Sequence, residues 1–291
     1  MNNDKKVLVT GITGFIGSNL VKKMISHGWN VEAIVRRGSH IELLSQDIRE
    51  SVVFHEYGDN NTLATIVSMA RPQVVIHLAS LFLSRHEPND VGPLLDSNVV
   101  FGTHLLEAMS RYGVKNFINT GTAWQHYQNA AYSPVNLYAA TKEAFGNILQ
   151  YYEEGHDIHA ITLQLSDTYG EGDRRKKVFQ LLREAADSGI PLEMSPGEQL
   201  IDCVHVDDVT DAFIMAADYL LSKQYELCGT YAVSAGKAIS LRELVTRYEK
   251  IIGKPIPVMW GKRKYRPREV MQPWNKGKLL PGWGRKHREL M

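Results

Sequence analysis

Apolar residues in the first half of the chain follow two alternating patterns. Short runs, VLVT (7–10), VEAIV (31–35), VVFHEY (52–57), VVIHLA (74–79), NFINT (116–120) and HAITLQL (159–165), predict strands. Several are apolar on consecutive positions, as suits strands covered on both faces. Between them, segments 15–27, 62–70, 91–112 and 137–154 read as helices. This alternation implies an α/β fold with a doubly wound parallel sheet, and right-handed crossovers leave few topologies. Past about Tyr169 the rhythm loosens. YGEGD and MSPGE are turn clusters, and helical runs at 176–188, 208–222 and 240–252 are separated by short strands. The expectation is a main domain over 1–168, joined by about 200–222, with 169–291 mainly forming a smaller, split second domain. No internal repeat or low-complexity segment is visible.

Composition adds little to this picture, whereas charge distribution adds something. With 291 residues, 44% hydrophobic and 22% charged, the chain is an ordinary globular one that needs no disulfides. Cys203 and Cys228 form no C-x-x-C pair, which suits a reducing compartment. The opening MNNDKK runs into VLVT without an apolar signal stretch, and the apolar run 212–221 is interrupted by Asp218. A cytoplasmic protein without a membrane partner is expected. The net charge of +1 hides an asymmetry: ten Lys/Arg against two acids after residue 260 make the tail +8, leaving −7 elsewhere. Such a tail asks for an anion. Trp260, Trp274 and Trp283 could stack on bases there, but the tail has no regular nucleic-acid motif, and no nucleic-acid partner is expected.

Glycines at Gly11, Gly14 and Gly17 fall directly after a strand and at the start of a helix. They permit a sharp turn and close backbone approach to a pyrophosphate, while the helix N-terminus offers free N–H groups and a favourable dipole. This is a dinucleotide signature. An NAD site places Asp or Glu at the end of the second strand; this chain has Arg36 and Arg37, with no acid before Glu42. Two guanidiniums suit a 2′-phosphate, so NADP(H) is expected.

Tyr138 and Lys142 are four residues apart in a helical segment and share a face. The ammonium is expected to lower the phenol pKa. Thr122, just past the fifth strand, supplies a hydroxyl that could hold the same substrate carbonyl. The histidines show no H-E-x-x-H or Cys/His metal spacing, so no metal is expected. His77 reads as a packed, hydrogen-bonded histidine.

The motifs TGITGFIG (10–17), HLAS (77–80), NVVFGTHLLEA (98–108), NFINTGTA (116–123), YAATK (138–142), TYGEGD (168–173) and DCVHVDDV (202–209) occur in an order that resembles the extended short-chain dehydrogenase/reductases. The resemblance implies a Rossmann-type sheet with a C-terminal substrate domain, a nucleotide-sugar substrate and a homodimer through the long helices. It implies Thr122, Tyr138 and Lys142 as catalytic residues. It assigns the cofactor to Gly11, Thr13, Gly14, Phe15, Ile16, Gly17, Arg36, Arg37, Asp59, Leu78, Ala79, Ser80, Asn98, Tyr138 and Lys142. Substrate contacts are expected from Thr122, Ala123, Trp124, Asp167 and Arg266, with Arg268 as an alternative to Arg266. Dehydratases of this family carry Asp-Glu after the threonine, and decarboxylases a Glu in the second place. Ala123-Trp124 can move no proton, which disfavours both reactions.

What remains is a reductase or an epimerase, with a non-catalytic NADP-binding regulator as a third reading. The short linker between Thr122 and Tyr138 resembles the CDP-abequose and CDP-paratose synthase type of 4-ketoreductase, in deoxysugar and lipopolysaccharide biosynthesis. Two departures stand out. Ile201 replaces an arginine usual before the HVDD run, and Gln164 and Asp167 replace an Arg and an Asn. The basic tail is the expected source of the missing cation.

Overall fold

The computed structural model describes residues 5–287. In chain order the first half is β1 (Lys6–Thr10), α1 (Phe15–Ser26), β2 (Asn30–Arg36), α2 (Gln46–Ser51), β3 (Val53–Tyr57), α3 (Asn60–Ala70), β4 (Val74–His77), α4 (Val91–Leu95), α5 (Phe101–Arg111), β5 (Asn116–Thr122), α6 (Leu137–Gly155) and β6 (His159–Leu165). The second half is β7 (Asp167–Tyr169), α7 (Val178–Ser188), β8 (Leu192–Glu193), β9 (Leu200–Ile201), β10 (Cys203–His205), α8 (Val206–Leu221), β11 (Gly229–Val233), β12 (Ile239–Ser240), α9 (Leu241–Ile252) and β13 (Val258–Met259).

Seven parallel strands in the order β11-β6-β5-β4-β1-β2-β3 form a Rossmann-type, doubly wound sheet. Alternation along β1 divides its residues between the two faces. Val7 and Val9 join Ile118 and Phe213 in one core, whereas Leu8 joins Val75, Phe117 and Phe145 in the other. A third cluster around Leu182, Leu244 and Tyr248 ties α7 to α9 in the C-terminal lobe. The chain moves from β1 outward to β3 and then returns to β4 on the other side of β1. That reversal opens a crevice at the carboxyl ends of the strands, where open α/β sheets bind ligands.

Two features differ from the sequence expectation. β11 is a seventh sheet strand beyond residue 222, and the tail covers it, with Ala232 N–H donating to the Lys278 carbonyl at 2.7 Å. That backbone pairing protects an otherwise open edge. The helix expected over 91–112 is interrupted by a π turn, Asp96–Val100, that holds Asn98. Inserted turns of this kind commonly mark functional positions. The tail packs on the body: Trp283 is buried and donates to the Asp208 carbonyl, and Trp274 stacks on His126 with ring centroids 4.0 Å apart. Arg288 and Glu289, counted with the tail charge, lie outside the described residues. Among the described residues no helix is long and apolar enough to cross a membrane.

Candidate active site

The glycine loop is shaped by backbone crowding. Gly11 has φ +77°, and a Cβ there would stand 2.6 Å from the Ala79 nitrogen; one on Gly17 would stand 2.2 Å from the Gly11 carbonyl oxygen. Only glycine fits either place. Gly14 caps α1, whose first turn contains no acidic residue. A cavity of about 630 Å³ opens there, lined by Gly11, Thr13, Gly14, Arg36, Ser39, Tyr57, Leu78, Ala79 and Ser80 among others. An adjoining cavity of about 360 Å³ is lined by Thr13, Arg36, Arg37, Gly38, Ser39, His40 and Leu43. Both guanidiniums therefore border one recess, although Arg37 also lies 3.8 Å from Glu56.

Asp59 is placed differently. It caps α3, its Oδ1 accepting from the Thr62 N–H and hydroxyl at 2.8 Å each, bonds that hold its carboxyl below the usual range. It does not line either cavity. Asn98 is fully buried: its Oδ1 accepts from Leu81 N–H (2.7 Å) and the Ser80 hydroxyl, and its Nδ2 donates to the Leu81 carbonyl and to Thr141. It thus joins the loop after β4 to α6. His77 is buried against Phe101, Phe117 and Phe145, its Nδ1 2.8 Å from the Thr10 hydroxyl. Burial, aided by the Lys142 charge, pushes it down to about 3, so it is neutral at working pH.

At the carboxyl end of β5 the reacting side chains meet. Thr122, Tyr138 and Lys142 line one cavity of about 210 Å³ with Phe15, Ile16, Gly17 and Ser80. Thr122 is fixed from behind: its N–H donates to Gln125 Oε1 at 2.9 Å, and Gln125 donates to Glu143 at 2.5 Å. The Tyr138 ring packs edge-on against Phe82 at 5.0 Å. Burial pushes the phenol up to about 12, against hydrogen bonds from Ser80 and Thr122 and the nearby Arg175 charge. The lowered phenol pKa expected from sequence is therefore corrected. Desolvation outweighs the Arg175 charge and the two hydrogen bonds, and Lys142 is itself pushed down to about 8 by burial.

Beyond Tyr138 lies a cleft of about 450 Å³ between the two lobes, with Ala123, Trp124, Asp167 and Arg266 in its lining. Arg266 sits over the Trp124 ring at 5.4 Å and pairs with Glu269 at 2.7 Å. Arg268 turns away to the Ser133 hydroxyl and the Tyr127 ring. Ile201 also faces the cleft, and the positive charge comes instead from Lys176, Lys177, Arg263, Lys264 and Arg266. Gln164 is buried against His126, its Oε1 3.1 Å from Nε2. Asp167 lies 3.7 Å from Lys177. Sequence reasoning missed Phe82, Arg175 and Lys177. The basic run RRKK (174–177) after the YGEGD turn was the available signal. Arg175 chelates Asp173 and lies over the Phe15 ring at 4.5 Å.

The sheet, glycine cradle and tyrosine–lysine pair define a dinucleotide-dependent dehydrogenase/reductase architecture. Residues 7–228 match the NAD dependent epimerase/dehydratase family, and the chain belongs to that family, the extended short-chain dehydrogenase/reductases. It is 27% identical over 271 residues to the CDP-abequose synthase of Yersinia pseudotuberculosis, covering 92% of this chain and 91% of that protein. It is 25% identical over 276 residues to the CDP-abequose synthase of Salmonella muenchen, covering 92% and 88%. In fold it is similar to the UDP-glucose 4-epimerase of Thermus thermophilus, solved with NAD, with a TM-score of 0.80 at 24% identity over 97% of this chain and 94% of that one.

Proposed function

We propose that the protein is an NADPH-dependent reductase of the 4-keto group of a nucleotide-linked (CDP or dTDP) deoxy sugar, in deoxysugar or polysaccharide biosynthesis. The observation that carries this reading is the end of β2, where Arg36, Arg37 and Ser39 border one recess next to the glycine cradle. Guanidiniums there suit a 2′-phosphate, and NADPH serves cells as a reductant. The tight turn, where a Cβ on Gly11 or Gly17 would strike backbone, brings the N-terminus of α1 to the cavity edge and suits a pyrophosphate, and the cavity beside it has room for an adenosine. Gly11, Thr13, Gly14, Phe15, Ile16, Gly17, Arg36, Arg37, Leu78, Ala79, Ser80, Tyr138 and Lys142 would hold NADP(H), with Asn98 bracing the loop and Asp59 acting from the α3 cap. When bound, NADPH supplies the hydride.

The chain's own part is to hold and protonate the ketone. Thr122 and Tyr138 donate hydrogen bonds to the C4 oxygen. Tyr138, protonated at neutral pH, gives its proton to the alkoxide as charge develops. Lys142 stabilises the resulting phenolate electrostatically. Ala123 and Trp124 shape the wall without moving protons, Asp167 meets the sugar, and Arg266 with its neighbours meets the diphosphate. The likeness to CDP-abequose synthases supports the substrate class. Apolar surface open at Val91, Leu95, Val100 and Tyr151 supports a homodimer through α4–α5 and α6.

A second reading, a nucleotide-sugar 4-epimerase, is favoured by the fold likeness to an epimerase. The two part in one assay, which follows NADPH and NADH absorbance over CDP-, dTDP-, UDP- and GDP-linked 4-keto-6-deoxy sugars. Net NADPH consumption is expected; interconversion of hexoses without net cofactor turnover would replace the reductase by an epimerase.

A further inference from the structure

A second cluster of chemically capable side chains stands apart from the catalytic cavity, where the C-terminal segment meets α8. β10 ends at His205, only 6% exposed, whose Nδ1 accepts from the Asp207 N–H at 3.2 Å. Its ring stacks on His287, with centroids 4.2 Å apart and planes at 28°, and meets Tyr169 edge-on at 5.2 Å. His287 arrives from the far end of the chain, 82 positions later in sequence. Its backbone N–H donates to the Asp208 carboxylate at 3.1 Å, and its Nδ1 also lies 3.1 Å from Asp208 Oδ1.

Asp208 decides how the His287 ring is protonated. It is 1% exposed and accepts from the Lys286 N–H at 2.9 Å as well. A buried, charged acceptor requires donors, so Nδ1 of His287 holds the proton and Nε2 presents its lone pair. That Nε2 lies 3.7 Å from Asp207 Oδ2, and the same oxygen lies 3.6 Å from His205 Nδ1. These separations are too long for hydrogen bonds. They are close to what a shared cation requires, since donors about 2.0–2.1 Å from a tetrahedral zinc stand about 3.4 Å apart. One donor atom from each of His205, Asp207 and His287 lies within 4.8 Å of the others. The Asp208–His287 pair reproduces the carboxylate–imidazole arrangement that orients a metal-ligating histidine.

We infer that His205, Asp207 and His287 form a site for one divalent transition cation of the zinc type, with Asp208 orienting His287. Two imidazoles and a carboxylate suit such a cation, whereas calcium and magnesium prefer all-oxygen shells. An imidazole binds a cation in its own plane, so on binding the His205 ring turns out of its stack on His287, and its Nδ1 exchanges the long contact with the Asp207 N–H for the cation. Three protein ligands leave a fourth position for water, and the cation fastens the C-terminal segment to the first turn of α8. The earlier part of the same tail supplies Arg263, Lys264 and Arg266 to the substrate cleft.

The test uses the full chain, stripped with a chelator and titrated with Zn²⁺ by calorimetry and with Co²⁺ by its visible ligand-field absorption. One equivalent should bind, and the cobalt spectrum should be that of a tetrahedral centre with nitrogen ligands. His287→Gln and Asp207→Asn should each weaken binding at least tenfold while leaving NADPH affinity unchanged. Both side chains are partly exposed, so neither change threatens the core. Zn²⁺ should also slow proteolysis of the C-terminal segment in the native chain and not in His287→Gln. Equal zinc affinity in native and variant chains, or no stoichiometric uptake, would overturn the site and leave His287 as a hydrogen-bonded tail anchor.

Discussion

The cofactor half and the substrate half of the crevice are built in opposite ways. The first is centred on one turn, from Gly11 to Gly17, set by two close backbone approaches, one within the turn and one to Ala79 after β4. The second is gathered from Trp124, from Asp167 and Lys177, and from Arg263 to Arg266, segments that meet only after both lobes have folded. Backbone geometry forces glycine in the first, so its identity is fixed. In the second, charge must reach a place, and any segment that reaches it can supply the charge. On the proposed function, Ile201 beside Arg263, Lys264 and Arg266 in the cleft lining is such an exchange.

Tyr138 stands where the two halves meet, and changing it should give the largest effect. Tyr138→Phe removes the proton donor and keeps the ring that packs on Phe82. We expect kcat to fall about 10²–10⁴-fold, with NADPH affinity unchanged by fluorescence titration. Activity retained within a few-fold would remove Tyr138 as the acid and leave the comparison without its hinge.

Arg36→Ala with Arg37→Ala tests whether the cofactor half reads the 2′-phosphate. Loss of charge-assisted hydrogen bonds of about 1.5–3 kcal/mol corresponds to a rise in the NADPH Kd of about tenfold to a hundredfold, with NADH binding unaltered. Equal weakening of both cofactors would mean that the arginines only shape the loop.

This contrast also explains what could be read in advance. The strands, the parallel sheet, the glycine turn and the 138/142 pair follow local periodicity or short spacing, and each was visible along the chain. The π turn at Asp96–Val100 was not, because Asn98 is drawn inward by Leu81 and Thr141, residues remote in sequence. β11 reads in sequence only as a short strand after 222, and its place as the seventh strand of the main sheet follows from its pairing with β6, remote in sequence. The His205–His287 cluster has no sequence spacing to recognise. Phenol acidity differs from the expectation for a related reason: an i,i+4 lysine is visible in sequence, while the desolvation that raises the phenol is a property of the folded pocket.

A smaller effect should appear in the pH profile. Lys142 is pushed from 10.5 down to about 8, so its charge is lost as pH rises through about 8. Turnover should decline above that pH, because the phenolate formed on proton transfer loses its cationic neighbour. Stability moves the other way. Between about 8 and 10.5 the unfolded chain binds the lysine proton and the folded chain does not, so this group's contribution to stability rises with pH. Activity falling while Tm holds would separate loss of the charge from unfolding; a profile flat to about pH 9.5 would contradict the assigned role.

The smallest expected effect bears on the substrate half alone. Arg266 and Arg268 are two residues apart, equally arginine and both exposed, yet only Arg266 faces the cleft. Arg268 donates to the Ser133 hydroxyl at 2.7 Å and lies over the Tyr127 ring at 4.3 Å. Arg266→Ala removes a guanidinium and frees the Glu269 carboxylate, whose side chain is 12% exposed, beside a dianionic substrate. Both changes act against the diphosphate, so KM should rise about tenfold, equivalent to about 1.4 kcal/mol, with kcat changed less. Arg266→Ala combined with Glu269→Ala should recover part of that loss, because the repelling carboxylate goes too. Arg268→Ala should alter KM less than about twofold, the range usual for a surface contact. If Arg268→Ala proved the more damaging, the tail would dock differently in the working enzyme, and the exchange of cations across Ile201 would have to be assigned anew.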